Sequence, residues 1–249
     1  MENKGSEDDD EDLSDMRLLF DDYEPKVTRS FSFDHSVNVE VVCAEQNQPG
    51  ALQSGVFLWP AASALGKFLV SRHPQGTNFK HVIELGAGCG LAGLVAARLL
   101  QMKLEGNDGE CGSILFTDRD YTSLKMIRQS IKASGGFGCS IKVGCRPLLW
   151  KETSDKDDNY KQLVLVEDFD LAIGSDLVYS TESANALIGT LNAVMPRSNE
   201  WKFILSSSFR DPETTAIIDR KCKELDLIRT VLFDDFEKCL IEEYRRRSG

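Results

Sequence analysis

Three glycines at every second position, Gly86, Gly88 and Gly90, follow directly on an apolar run that ends in an acid, Val82-Ile83-Glu84, in the stretch VIELGAGCGLAGL. Glycine at alternate positions, with only Ala87 and Cys89 between, removes the side chains that keep a ligand away from the main chain, and it permits the tight turn by which a strand enters a helix. Read from Gly88, the letters GCGLAG match GxGxxG with Gly93 as the third glycine, but that match opens two residues after the strand ends; read from Gly86, Leu91 stands in the third place. No Gly-Lys-Ser/Thr follows, so the loop is not a P-loop, and Glu84 is ill placed beside a pyrophosphate. A carboxylate there suits a ligand carrying positive charge. The next apolar run, SILFTD, ends in Asp118, where nucleotide-binding α/β folds hold a ribose hydroxyl. Ribose, positive charge and no phosphate together describe S-adenosylmethionine. A dinucleotide cofactor shares the ribose acid and stays open on these residues alone, as does the reading in which Glu84 caps a helix and the glycines only ease packing.

The elements that must hold these residues alternate along the chain. FSFDHSVNVEVVCAE has the two-residue period of a strand or hairpin, and a helical apolar period follows Pro60, which costs little at a helix start because its missing N–H has no partner there. HVIELGAG, SILFTD, CSIKVGC, FDLAIGSDL, WKFILSSSF and a last segment near EKCLIEEYRR read as strands. Between them, residues 91–102, YTSLKMIRQSIKAS, TESANALIGTLNAVM and PETTAIIDRKCKELD read as helices. Strands alternating with helices of this length predict βαβ units, a mostly parallel sheet covered on both faces, and a small β accessory before it.

Composition bounds the rest. With 249 residues and 41% hydrophobic content the chain can bury a full core without staples. Its seven cysteines are odd in number, scattered and never in a CxxC pair, which predicts reduced thiols in a cytosolic or nuclear protein. No apolar leader and no run approaching eighteen apolar residues is present, so the sequence reads as neither secreted nor membrane-spanning. Residues 1–24 carry eleven acids against Lys4 and Arg17, so most of the net charge of −11 sits there; residues 1–25 read as a disordered acidic tail. The remainder is close to neutral and has no basic stripe, which argues against a nucleic-acid partner. His35, His73 and His81 have no partners at ligand spacing, so no metal site is expected.

FLWPAASALGKFL ahead of the glycine loop, Thr117-Asp118, PLLW over 147–150 and SDLVY over 175–179 stand in the order found in one group of seven-β-strand methyltransferases. From about residue 30 to 245 the sequence resembles the family-16 protein-lysine methyltransferases, whose mark is a DxxY motif after the fourth strand, here Asp176-Leu177-Val178-Tyr179. The resemblance sets the dinucleotide reading aside. It implies a Rossmann-like seven-stranded sheet, mostly parallel with an antiparallel last strand, over 26–249. It also implies a site in which Trp59 and the Gly86-Ala87-Gly88 backbone line the cofactor pocket, Asp118 holds the ribose, Trp150 lies near the adenine and Ser175 borders the pocket. Ser175 stands where alanine is common in that family.

For such an enzyme Asp176 would attract and orient an incoming nitrogen by a charge-assisted hydrogen bond, not act as a strong base, and Tyr179 could offer its hydroxyl or ring face to the same nitrogen. A helix N-cap is the competing role for Asp176. Trp201 reads as packing, and Arg210 either contacts an acidic substrate or braces its own loop. The expected acceptor is a lysine of a protein substrate, the expected state a monomer. Arginine or small-molecule methylation, and a non-catalytic binding module on the same fold, are the alternatives.

Overall fold

The computed structural model describes residues 26–34, 36–45, 54–72, 79–105, 109–152, 169–195, 201–208 and 211–247. The acidic segment 1–25, His35, His73, Arg210 and most of the polar insertion after Lys151 lie outside the described residues.

The expected N-terminal accessory is a hairpin of β1 (Lys26–Phe33) and β2 (Val37–Ala44), antiparallel in the register Lys26↔Ala44 to Phe33↔Val37. Val37, Val39 and Val41 point inward while Asn38 is exposed, the alternation legible in the sequence. Strand edges leave N–H and C=O groups without ladder partners. On β2 two serines meet that need: Val42 N–H donates to Ser130 Oγ at 2.8 Å, Glu40 N–H donates to Ser134 Oγ at 2.9 Å, and Ser134 Oγ–H donates back to the Glu40 carbonyl at 3.1 Å.

The main sheet then alternates with helices: α1 (Pro60–Arg72), β3 (His81–Glu84), α2 (Leu91–Leu104), β4 (Gly112–Asp118), α3 (Tyr121–Ala133), β5 (Ile141–Pro147), β6 (Leu171–Ser175), α4 (Thr181–Val194), β7 (Lys202–Ser207), α5 (Pro212–Glu224), β8 (Leu227–Phe236) and β9 (Cys239–Arg246). Pro60 opens α1, as expected. Strand order is β5-β4-β3-β6-β7-β9-β8, parallel throughout except for β9, which runs antiparallel to both neighbours.

Successive residues of a strand face opposite sides, and the core divides accordingly. Val82, Ile114, Ile173 and Ile204 pack with Leu65, Leu94 and Leu124 of α1–α3, whereas Ile83, Leu115, Ala172 and Phe203 pack with Leu187, Leu191 and Ile218 of α4 and α5. Trp201 is buried in the second cluster at 1% exposure, in keeping with a packing role. Among the described residues no helix is long and apolar enough to cross a membrane.

One strand escaped the segment-by-segment reading. The last strand was expected near 237–246, but Leu227–Phe236 forms a further strand, β8, at the sheet edge. Its buried-exposed alternation is broken by register shifts between Val231 and Phe233 and between Phe233 and Phe236, and Leu227 alone of its residues is buried. Its hairpin turn to β9 is Glu237-Lys238, with φ of 52° and 65°. Such turns ordinarily announce themselves as Asn-Gly or Asp-Gly, and here that signal is missing.

The sheet reverses its winding at β3, whose neighbours are β4 on one side and β6 on the other. Ligands of doubly wound sheets bind in the crevice outside the carboxyl ends of strands at such a point. The loops that follow β3, β4 and β6 meet there.

Candidate active site

The glycine loop is built by positive φ. Gly86, Gly88 and Gly90 stand at 57°, 54° and 78°, and Gly90 is the residue from which α2 starts. At Gly88 a side chain is excluded twice over, because a β-carbon would lie 3.0 Å from the Gly55 carbonyl oxygen in a region of φ that side chains rarely adopt. Neighbouring strands pin the loop: Leu85 N–H donates to the Ile173 carbonyl at 2.9 Å, Ala87 N–H to the Thr117 carbonyl at 2.9 Å, and Thr117 Oγ1–H to the Glu84 carbonyl at 2.7 Å.

Asp118, at the end of β4, is buried. Its Oδ2 accepts Gly88 N–H and its Oδ1 accepts Asp120 N–H, both at 2.9 Å. Burial pushes its carboxyl above the usual range, and the main-chain N–H donors from Asp120 and Gly88 oppose that rise. One carboxylate thus ties β4 to the glycine loop and also faces the crevice.

That crevice is a cavity of about 840 Å³, within the range of small-ligand sites. Trp59, Gly86, Ala87, Gly88, Gly90, Asp118, Trp150, Ser175, Asp176 and Tyr179 all line it. Ten residues picked from five separate stretches of sequence therefore share one wall. Gly55, Leu149 and Glu182 line it too and were not anticipated; Leu149 lies within the PLLW motif beside Trp150, and nothing in the local sequence marks the other two. Trp59, Leu149 and Tyr179 are 48%, 60% and 66% exposed and form an apolar rim.

Glu84 is the exception, and direct contact with a ligand is corrected for it. It is 1% exposed and absent from the cavity wall. Its carboxyl lies under α2, where it accepts the Gly93 N–H, and among the described residues Oε2 has no hydrogen-bond partner. Desolvation pushes it up to about 8, so that it is largely neutral at pH 7. Gly93 was considered as the third glycine of a dinucleotide fingerprint; its role here is spatial, since a β-carbon would overlap Glu84 Oε2 and the Phe116 ring.

Asp176 is not a helix cap. Ser180 caps α4 in a reciprocal box with Ser183, and Ser183 Oγ also accepts Tyr179 N–H at 3.1 Å. Asp176 itself sits at φ 51°, donates its N–H to the Ser206 carbonyl at 2.9 Å, and turns its carboxylate to Ser208. Ser208 is a partner that sequence reasoning missed, one of three consecutive serines with nothing to single it out. His81, at the opposite end of β3, pairs with Ser113 Oγ through Nδ1 at 3.0 Å.

A glycine loop after the central strand, an acid closing the next strand and a cavity at the reversal of strand order are common to nucleotide-binding doubly wound sheets; the seven-stranded order with β9 inserted antiparallel between β7 and β8 makes this the Rossmann-like methyltransferase class. The SAM-dependent methyltransferase from Agrobacterium tumefaciens shares the fold, with a TM-score of 0.54 at 11% identity over 89% of this chain and 70% of that one. A family model described as lysine methyltransferase matches residues 40–220, and the chain belongs to that family. The protein N-terminal and lysine N-methyltransferase EFM7 of Cryptococcus neoformans is 27% identical over 207 residues, covering 79% of this chain. The match spans 65% of that relative's length, less than two-thirds. The histone-arginine methyltransferase METTL23 of Xenopus laevis is 26% identical over 196 residues, 76% of this chain and 73% of that protein.

Proposed function

We propose that the protein transfers a methyl group from S-adenosylmethionine to a lysine side chain of a protein substrate. The observation that carries this reading is the shared wall: the glycine loop and Asp118 line the same cavity as Asp176 and Tyr179, in a chain of the lysine methyltransferase family. When bound, the cofactor supplies an electrophilic methyl group on a sulfonium. The residues fit it. The glycine backbone admits close approach, and Asp118, Trp59 and Trp150 line the cavity, where the carboxylate would hold the ribose and the two indoles would offer aromatic surface to the adenosyl group.

The chain's own tasks are to align the acceptor and exclude water, and near-attack alignment is worth several kcal/mol of barrier, at least about 7 in favourable cases. A lysine amine, with a reference pKa of about 10.4, must lose its proton to attack. Desolvation in a narrow site and a nearby positive charge both favour that loss. Asp176 pulls the other way, so its role is to receive and aim the nitrogen; Tyr179 at the rim supplies a hydroxyl and a ring face to the same group. The protein works in this reading as a monomer of the cytosol or nucleus, on a protein and not on nucleic acid.

The test is transfer of labelled methyl from S-adenosylmethionine into a hypomethylated extract, comparing wild type with Asp176→Ala. A protein band lost in the variant, giving methyl-lysine on hydrolysis, is the expected result. Methyl-arginine in that band would favour the second reading, an arginine acceptor, which the likeness to METTL23 keeps in play. Label confined to small molecules would overturn both.

A further inference from the structure

We propose that Ser208 is a positioning residue for methyl transfer, holding the Asp176 carboxylate across the gap between β6 and β7 so that it faces the acceptor nitrogen. The inference rests on the reading above, in which Asp176 receives that nitrogen.

Asp176 occupies the left-handed region at φ 51°. Aspartate is tolerated there better than most residues, but such a conformation persists only where the surroundings hold it. Two serines at the end of β7 do so. Ser206 takes the Asp176 N–H on its carbonyl at 2.9 Å, one step beyond the last pair of the β6–β7 ladder, Ser175↔Ser206. Ser208 takes the other end of the residue: its N–H donates to Oδ1 at 2.7 Å, and its hydroxyl lies 2.8 Å from Oδ1 and 2.9 Å from Oδ2. Both the main chain and the side chain of Asp176 are therefore referred to one neighbouring strand.

The grip is asymmetric. Among the described residues Oδ1 accepts a main-chain N–H and stands within reach of the hydroxyl, whereas Oδ2 meets the hydroxyl alone, and a hydroxyl has a single proton to give. Oδ2 keeps acceptor capacity for an incoming N–H while Oδ1 serves as the anchor. Ser208 is exposed and does not line the cavity, although Asp176 does. It acts on chemistry only through the carboxylate. A solvent-exposed hydrogen bond adds little to fold stability, so its removal should register in the transfer rate and not in the melting temperature.

Ser208→Ala keeps the N–H and deletes the hydroxyl; Ser208→Thr keeps both. The probes are labelled S-adenosylmethionine and a hypomethylated extract, with initial rates at saturating donor, the apparent KM for the donor, and thermal midpoints measured for each protein. Misplacement of a catalytic group by less than an ångström predicts a rate about 10- to 100-fold lower for Ser208→Ala, with donor KM and midpoint unchanged, and recovery of most of the rate in Ser208→Thr. A wild-type rate in Ser208→Ala beside an inactive Asp176→Ala overturns the role of Ser208 and leaves the proposed function standing. A loss that tracks the midpoint or the donor KM overturns it as well, by making the contact structural. Full activity in Asp176→Ala would instead remove the reading on which both rest.

Discussion

Replacing Glu84 by glutamine should flatten the dependence of stability on pH. The carboxyl is 1% exposed and its Oε2 has no partner among the described residues; burial raises its pKa from an ordinary 4.5 to about 8, against the Gly93 N–H, which lowers it. A carboxyl whose folded pKa lies above its unfolded one binds its proton more tightly in the fold. Its contribution is fully present below pH 4.5 and is lost as pH rises to about 8. At 1.36 kcal/mol per pH unit the whole loss is about 5 kcal/mol, of which about 3 kcal/mol falls between pH 5.5 and 8.0. Glutamine resembles the protonated acid in shape and cannot ionise. Urea unfolding followed by circular dichroism, without cofactor, should find the variant's advantage over wild type growing by about 3 kcal/mol between pH 5.5, where it is about 1 kcal/mol, and pH 8.0. Asp118 and Asp170 have carboxyls raised in the same direction, but both remain in the two proteins and largely cancel in the difference. Parallel pH profiles for wild type and variant would refute the reasoning, because they would mean that Glu84 is ionised or hydrated in the fold.

Gly93→Ala sets two effects against each other: alanine favours a helix interior by about 1 kcal/mol, yet its β-carbon would overlap Glu84 and the Phe116 ring. Overpacking should win, with a net loss of about 1–3 kcal/mol read as a midpoint lower by several degrees; a raised midpoint would show that the site relaxes. Asp118→Ala strips the acceptors from the Gly88 and Asp120 N–H groups and should weaken S-adenosylmethionine binding at least about tenfold in calorimetry. Unchanged affinity would remove Asp118 from the cofactor site.

Much of this architecture was legible before the structure. The two-residue period of β2, the proline that opens α1, and the apolar runs of β3, β4, β6 and β7 are local signals, each decided by residues next to one another. β8 was not legible, because its register shifts break the period and its hairpin turn is made by Glu237-Lys238. The site divides along the same line. Glycines with positive φ, and acids at strand ends, announce themselves in the sequence; Gly55 behind the loop and Ser208 beside Asp176 do not.

What the sequence by itself determined is therefore the alternation of strands and helices, the glycine loop and the identity of ten of the residues that share the cavity. Only the tertiary structure decided which way those residues face and what they touch. β3 lies between β4 and β6, and the end of β6 lies beside that of β7, so Glu84 comes under Gly93 and away from the cavity while Asp176 comes against Ser208. Residue spacing encodes local conformation, whereas contacts across a sheet depend on strand order and register. Partners such as Asp176 and Ser208, 32 positions apart, meet only once the sheet is assembled.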